Sequence, residues 1–315
     1  MKKHFLVIIL FAGFLFSCQH NDEPENPIPI IQPDTIPQTT IDTISTKDTL
    51  PLQDTSIQKD TILSPDTSIQ KDTIIKPTIS RISVLTYHKV VAEDSLAIYS
   101  TQVSVRKLED DFRWLASNGY TAILPRDLLS LDSFPQKTVI ITFDDGYYNN
   151  YLYMYPLLKK YGLKAEISLI VSWITEERSN GWLTWGECRE MSESGLVEIG
   201  SHTYSLHNPS NGGSYIRGSV NGVGREVDES DDDYRARITT DLQKSKDIIT
   251  ERIGMEPVSF AYPYGEGNYF INKYISELFE VTFLTNNGSF NPKSDLHLLP
   301  RNTITMDTQL QNILK

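Results

Sequence analysis

The stretch Lys137–Phe143, "KTVIITF", runs directly into "DDG" at Asp144–Gly146. Its apolar residues do not alternate with polar ones, so a strand here is buried on both faces, as in a parallel sheet covered on each side. Parallel strands need long crossover connections, usually helices. A buried strand that ends on two adjacent carboxylates also needs partners for their charge. Those partners must come from elsewhere in the chain.

The rest of residues 79–315 supplies both. Strands are predicted in "RISVLTYH" (81–88), "YTAIL" (120–124), "KAEISLIV" (164–171), "LVEIGSH" (196–202), "VSFAYPYG" (258–265) and "EVTFLT" (280–285). Helices are predicted between them. Ser104 caps one that carries Leu108, Phe112 and Leu115 and closes at Gly119. Another runs from Asn149 to Gly162, with Pro156 as a kink or restart. Thr184 and Gly195 bracket a third. A long fourth, from Asp232, places Tyr234, Ile238, Leu242, Ser245 and Ile249 on one stripe. A fifth covers "YFINKYISELF" (269–279), and "HLLPRNTI" (297–304) closes the series. Alternating strands and helices imply an α/β fold with a parallel sheet, a barrel, whose chemistry gathers at the C-terminal strand ends.

Three polar clusters fall at such ends: "DDG", "SHTYSLH" with His202 and His207, and "YPYG". Two histidines five residues apart do not share a helical face, but in a loop leaving a strand they can converge. Two imidazoles and one carboxylate with an open position make a zinc-type catalytic site. One aspartate then ligates a metal that offsets its charge, and the other stays beside the attacking water as a base.

These segments, "TFDDG", "SHTYSLH" and "FAYPYG", resemble the first three motifs of the NodB-like polysaccharide deacetylases, carbohydrate esterase family four, in order through most of residues 81–303. The resemblance implies a distorted (β/α) barrel and metal-dependent removal of acetyl groups from N-acetylated sugars. It implies Asp145, His202 and His207 as metal ligands, Asp144 as the base, and the Tyr264 backbone N–H in the oxyanion site. The implied metal is Zn²⁺, with Co²⁺ or Ni²⁺ also suited to such ligands.

Three departures from the family pattern are visible. The histidine spacing is one residue longer than the commonest form and resembles the poly-N-acetylglucosamine deacetylase branch. Ala261 stands where the third motif usually carries an arginine, which leaves Arg301 in "LLPRNTI" as the candidate to orient Asp144. The usual late histidine motif is absent. His88, at the end of the first strand, is the candidate general acid in its place, with His297 as the fallback. Tyr147, Tyr204, Trp182 and Trp185 are candidates to stack on sugar faces, against core packing for some of them. The motifs leave an O-acetyl esterase on xylan-type glycans as an alternative, or a glycan-binding lipoprotein without turnover.

The first 78 residues are of another kind. "MKKH" followed by the apolar Phe5–Phe16 and "LFSC" resembles a lipoprotein signal peptide, residues 1–18, with a lipid anchor on Cys18. Residues 19–78 contain no aromatic residue and no glycine and repeat "DTSIQKDTI" at 54 and 66. Their isolated isoleucines cannot bury enough surface to offset ordering, so a disordered stalk is expected. At about 3.1 Å per residue it would reach roughly 190 Å if fully polyproline-like. The expected setting is extracytoplasmic: the outer membrane or surface of a Gram-negative cell. With Cys18 lipidated, Cys188 has no partner for an intramolecular disulfide and is expected as a small buried hydrophobe. The formal net charge of -12 argues against a nucleic-acid or anionic-membrane partner, and the family resemblance implies an N-acetylated polysaccharide instead. A monomer is expected.

Overall fold

The computed structural model describes residues 81–178, 181–207 and 222–314. The expected signal peptide with Cys18 and the expected stalk lie outside the described residues. No described helix is long and apolar enough to cross a membrane.

The strands in chain order are β1 (Ile82–Tyr87), β2 (Val90–Val91), β3 (Val103–Ser104), β4 (Thr121–Ile123), β5 (Thr138–Asp145), β6 (Ala165–Leu169), β7 (Val197–Ser201), β8 (Ser259–Ala261), β9 (Val281–Phe283), β10 (Ser289–Phe290) and β11 (Asn302–Thr303). The helices are α1 (Val105–Ser117), α2 (Asp127–Ser130), α3 (Tyr155–Tyr161), α4 (Trp185–Glu193), α5 (Asp231–Ile253), α6 (Tyr269–Ile275) and α7 (Leu310–Ile313). The main sheet runs β10-β1-β5-β6-β7-β8-β9, with β4 on β5 and β11 on β1. Its pairings are parallel except that of β10 with β1. The result is a curled, barrel-like α/β sheet, as the sequence predicts.

All eight residues of β5 are buried. Its alternate side chains enter two different cores. Val139, Ile141 and Phe143 join Leu85, Ile167, Leu169 and Ile199 beneath the helices. Ile140 faces the sheet interior with Val84, Ala261, Val281 and Phe283. Full burial of one such side chain contributes about 1.5–3 kcal/mol. That gain explains why "VIIT" cannot serve as a surface strand.

Helix ends follow local chemistry. The Ser104 hydroxyl accepts from Lys107 N–H, and Thr184 with Glu187 forms a reciprocal capping box. The helix expected from Asn149 is divided: Asn150–Met154 is a wide π turn, and α3 begins at Tyr155. Pro156 has no N–H to donate back one turn, so the segment before it opens. Helix α6 is shorter than its sequence signal, because Ser276 caps it after Ile275.

The segment Leu296–Thr303 has no signal of its own as a long strand, yet it spans the gap between β9 and β1. Thr282 N–H donates to Leu296 O, and Leu299 N–H donates to Thr282 O. Asn302 and Thr303 then pair with Leu85 and Thr86 of β1. Arg301 is carried inward on this segment with no solvent exposure.

Candidate active site

A cleft of about 360 Å³ opens at the C-terminal strand ends, lined by His88, Thr101, Asp144, Asp145, His202, His207, Tyr264, Thr285 and Thr303. His88 follows β1, the aspartates end β5, His202 follows β7 and Tyr264 follows β8. Strict alternation would send Asp144 and Asp145 to opposite faces. Asp145 breaks it with φ +78, and Gly146 continues the turn at φ +86. A Cβ on Gly146 would lie 2.8 Å from the Leu169 side chain, so glycine is required there. Thr203 and Tyr264 also have positive φ, 79 and 60. Such backbone is costly for these residues, and three of the five non-glycine residues described with positive φ lie in the loops around this cleft.

Asp144 is gripped by Arg301, whose Nη1 and Nη2 donate to Oδ1 and Oδ2 at 2.7 Å each. Arg301 is itself fixed by Nε donating to Leu284 O at 2.8 Å and Nη1 to the Thr142 hydroxyl at 3.3 Å. Burial by itself would raise the Asp144 pKa. The Arg301 charge, with His202, the Arg301 hydrogen bonds and His88, outweighs that and holds the carboxyl well below the usual range. Ala261 leaves the usual arginine position empty of charge, and the guanidinium arrives from the closing segment instead.

Asp145, His202 and His207 form a group whose potential ligand atoms all lie within 4.8 Å of one another. The His202 Nδ1 lies 2.7 Å from Ala261 O, a pure acceptor, so Nδ1 carries the proton and Nε2 a lone pair. His202 Nε2 is 3.6 Å and His207 Nε2 is 3.4 Å from Asp145 Oδ1. That oxygen is buried and has no hydrogen-bond partner among the described residues. Burial pushes His202 down to about 4 and His207 down to about 3, so both rings are neutral near pH 7. Burial, then the neighbouring Asp144 charge, pushes Asp145 up to about 7. The His202 Nε2 lone pair, the neighbouring His207 Nε2 and an unpartnered carboxylate oxygen facing one another suit a divalent cation.

His88 Nε2 lies 3.9 Å from Asp144 Oδ2, and the side chain keeps 19% exposure to the cleft. Burial lowers its pKa, Asp144 opposes that, and Arg301 adds to it. Tyr264 stacks on His207 with ring centroids 4.9 Å apart, and its hydroxyl donates to His207 O. A Cβ on the next residue, Gly265, would lie 1.8 Å from the Thr285 hydroxyl oxygen. The turn after Tyr264 is therefore confined to glycine.

His297 does not line this cleft. Its ring meets Asp295 Oδ1 at 2.6 Å and Phe279 O at 3.2 Å, just before the N-terminal end of β9. Of the aromatic candidates, Tyr147 stacks on Trp182 at 4.7 Å, and Trp182 meets Trp173 at 4.3 Å. Trp173 meets His207 edge to face, with ring centroids 5.8 Å apart. Trp173 escaped the sequence reading, since "SWI" carries no motif. Trp185 is 4% exposed and belongs to the core under α4. Tyr204 packs against the same core, with Lys244 Nζ 3.6 Å from its ring centroid. Neither lines the cleft described above. Cys188 is fully buried in that core, and burial pushes its thiol pKa well up.

Among the buried carboxyls that were not foreseen, Glu166 lies deepest. Glu166 has no solvent exposure and accepts from the Ser168 and Ser259 hydroxyls at 2.7 and 3.1 Å. Burial pushes it up to about 8, so it is largely protonated near pH 7. It occupies the space that a Cβ on Gly200 would need, 1.9 Å away. A lone glutamate in a strand pattern reads as a surface residue, which hid it.

Residues 132–279 match the polysaccharide deacetylase family. The chain is similar to poly-beta-1,6-N-acetyl-D-glucosamine N-deacetylase of Escherichia coli, 27% identical over 231 residues, 66% of this chain and 34% of that protein. It thus spans about a third of that relative's length. The protein of the same name from Staphylococcus aureus is 28% identical over 227 residues, 70% of this chain and 73% of that one. Among solved structures, a de-N-acetylase from Aggregatibacter actinomycetemcomitans superposes with a TM-score of 0.63 at 27% identity, covering 74% of this chain and 100% of that one.

Proposed function

The chain belongs to the polysaccharide deacetylase family, and on that premise we propose that it is a metal-dependent hydrolase removing acetyl from an N-acetylglucosamine polysaccharide outside the cytoplasm. The observation that carries the reading is the shared cleft: an Asp/His/His cluster beside an arginine-held aspartate and a cleft-facing histidine. The names of the Escherichia coli and Staphylococcus aureus relatives support the substrate class.

In this reading Asp145, His202 and His207 hold a divalent ion, Zn²⁺ or else Co²⁺ or Ni²⁺. When bound, the ion supplies Lewis acidity at the acetyl carbonyl and a more acidic water. Asp144 accepts the proton from the attacking water, and Arg301 keeps that carboxylate ionised and aimed while both its oxygens are held. The Tyr264 N–H donates to the oxygen that becomes negative as the carbonyl is attacked. His88, in its protonated form, which the Asp144 charge favours, hands its own proton to the leaving nitrogen, and acetate and a free amine result.

The test is acetate release from a panel of poly-N-acetylglucosamine, peptidoglycan, chitin oligomers and acetylated xylan, with and without chelator. Release from an N-acetylated glycan that stops with chelator and returns with Zn²⁺ is expected. Release from acetylated xylan alone would overturn the amide reading. Export through a lipidated Cys18 is part of the proposal, and a mature N-terminus without a diacylglyceryl cysteine by mass spectrometry would remove that part.

His88 has its own signature. His88→Ala should keep its metal and lose about 10²–10⁴-fold in turnover of the N-acetylated glycan. An activated aryl acetate should lose much less, because its leaving group departs without a proton. An unchanged amide-to-ester ratio would take His88 out of the mechanism.

A further inference from the structure

His202 and His207 are five residues apart, so the chain between them must reverse sharply for both rings to reach Asp145. Thr203 makes the reversal with its left-handed φ of 79. The turn leaves the N–H groups of Tyr204 and Ser205 pointing away from the cleft, side by side. Both meet one carboxylate: Tyr204 N–H donates to Asp241 Oδ1 at 2.8 Å, and Ser205 N–H to Asp241 Oδ2 at 3.0 Å. The Ser205 hydroxyl adds a third bond to Oδ2 at 3.2 Å. Asp241 is 9% exposed and lies on the buried face of α5.

One turn further along the same helix, the Ser245 and Ser201 hydroxyls lie 2.6 Å apart. Ser201 immediately precedes His202, and its hydroxyl also accepts from Thr203 N–H at 3.3 Å. Helix α5 therefore grips the histidine loop at two points, one before His202 and one between the two histidines. The helix is itself anchored by Tyr234, Ile238, Leu242 and Ile249, each with no exposure. A charged acceptor for two adjacent backbone N–H groups is stronger than a neutral one and fixes their direction as well as their position.

We propose that Asp241, supported by Ser245, is a positioning residue for the paired histidines, so that the geometry of α5 sets the metal affinity of the cleft. The proposal rests on the reading of Asp145, His202 and His207 as metal ligands. Outer partners of ligating groups commonly control affinity by 10–100-fold. Here the partner acts on the loop backbone rather than on a ring nitrogen, because His202 Nδ1 is already taken by Ala261 O.

The test is a Zn²⁺ competition titration of the full chain against a chromophoric chelator, at a temperature well below unfolding. Asp241→Ala should bind Zn²⁺ about 10–100-fold more weakly. Asp241→Asn should fall between that variant and the unaltered chain, since it retains an oxygen for only one of the two N–H groups. Lys244→Ala is the control for helix–loop packing in general. It removes the side chain lying over the Tyr204 ring on the same helix and should leave affinity within about twofold. Melting of the metal-free variants gives an independent reading of structural loss. Equal Zn²⁺ affinity in Asp241→Ala and the unaltered chain would overturn the positioning role alone. So would an equal loss in Lys244→Ala. Failure of the unaltered chain to bind Zn²⁺ would overturn the ligand assignment as well.

Discussion

Asp144→Asn should retain its metal and lose about 10²–10⁴-fold in turnover, the scale of a general base. Asparagine preserves the shape and one acceptor oxygen but cannot take a proton from water. On the proposed reading Asp145, His202 and His207 hold the metal and are untouched, so metal content and catalysis should separate. In His202→Ala or Asp145→Ala they should fall together. The substitution also leaves the Arg301 guanidinium, which has no exposure, without its counter-charge. A lower melting temperature is therefore expected too, and turnover must be compared in samples shown to be folded. Near-normal turnover in folded, metal-loaded Asp144→Asn would move the base elsewhere.

Arg301→Met should cost about 3–5 kcal/mol of stability, because it strands a buried carboxylate. That is a large fraction of the total for an ordinary domain. Asp144 is 1% exposed and held at both oxygens at 2.7 Å, so water on its single cleft-facing side replaces the lost guanidinium only in part. Activity should fall as well. Without Arg301, burial is free to raise the Asp144 pKa, and the base would be protonated more of the time. The double variant, Asp144→Asn with Arg301→Met, decides whether charge or packing dominates. Chemical denaturation should show it more stable than Arg301→Met alone, since the uncompensated charge is gone. A double variant as unstable as the sum of both single variants would assign the loss to packing.

Much of the fold was legible because its causes are local. The doubly apolar run in β5, the caps at Ser104 and Thr184, and the stripe on α5 depend on residues a few positions apart. The π turn before α3 was only half legible. Pro156 announces an interruption, but whether the chain kinks, restarts or widens depends on how Tyr155 and Met154 pack. The site residues at strand ends were legible for a similar reason. In a parallel α/β sheet, "DD", "SH" and "YPYG" at the ends of buried strands must share one rim.

Other contributors were hidden because their roles exist only across distant segments. Trp173, Glu166 and Asp241 sit in unremarkable local sequence. They became visible when Trp182, Ser259 and the Tyr204–Ser205 backbone were brought against them. Trp185 and Tyr204 took the core-packing alternative that the sequence had left open: Trp185 opens α4 facing the core, and the partly buried Tyr204 packs against that core beside α5.

The amino-acid sequence by itself determined the alternation of strands and helices and the set of residues at the rim, since periodicity, capping and turn chemistry act within a few residues. Only the tertiary structure decided how Asp144 is held. Arg301 lies 157 residues away in sequence, on an irregular segment that is fixed by bonds to β9 and β1 rather than by any propensity of its own. A bidentate ion pair requires two planar groups to meet at 2.7 Å, and that placement follows from closing the sheet, which no local pattern encodes.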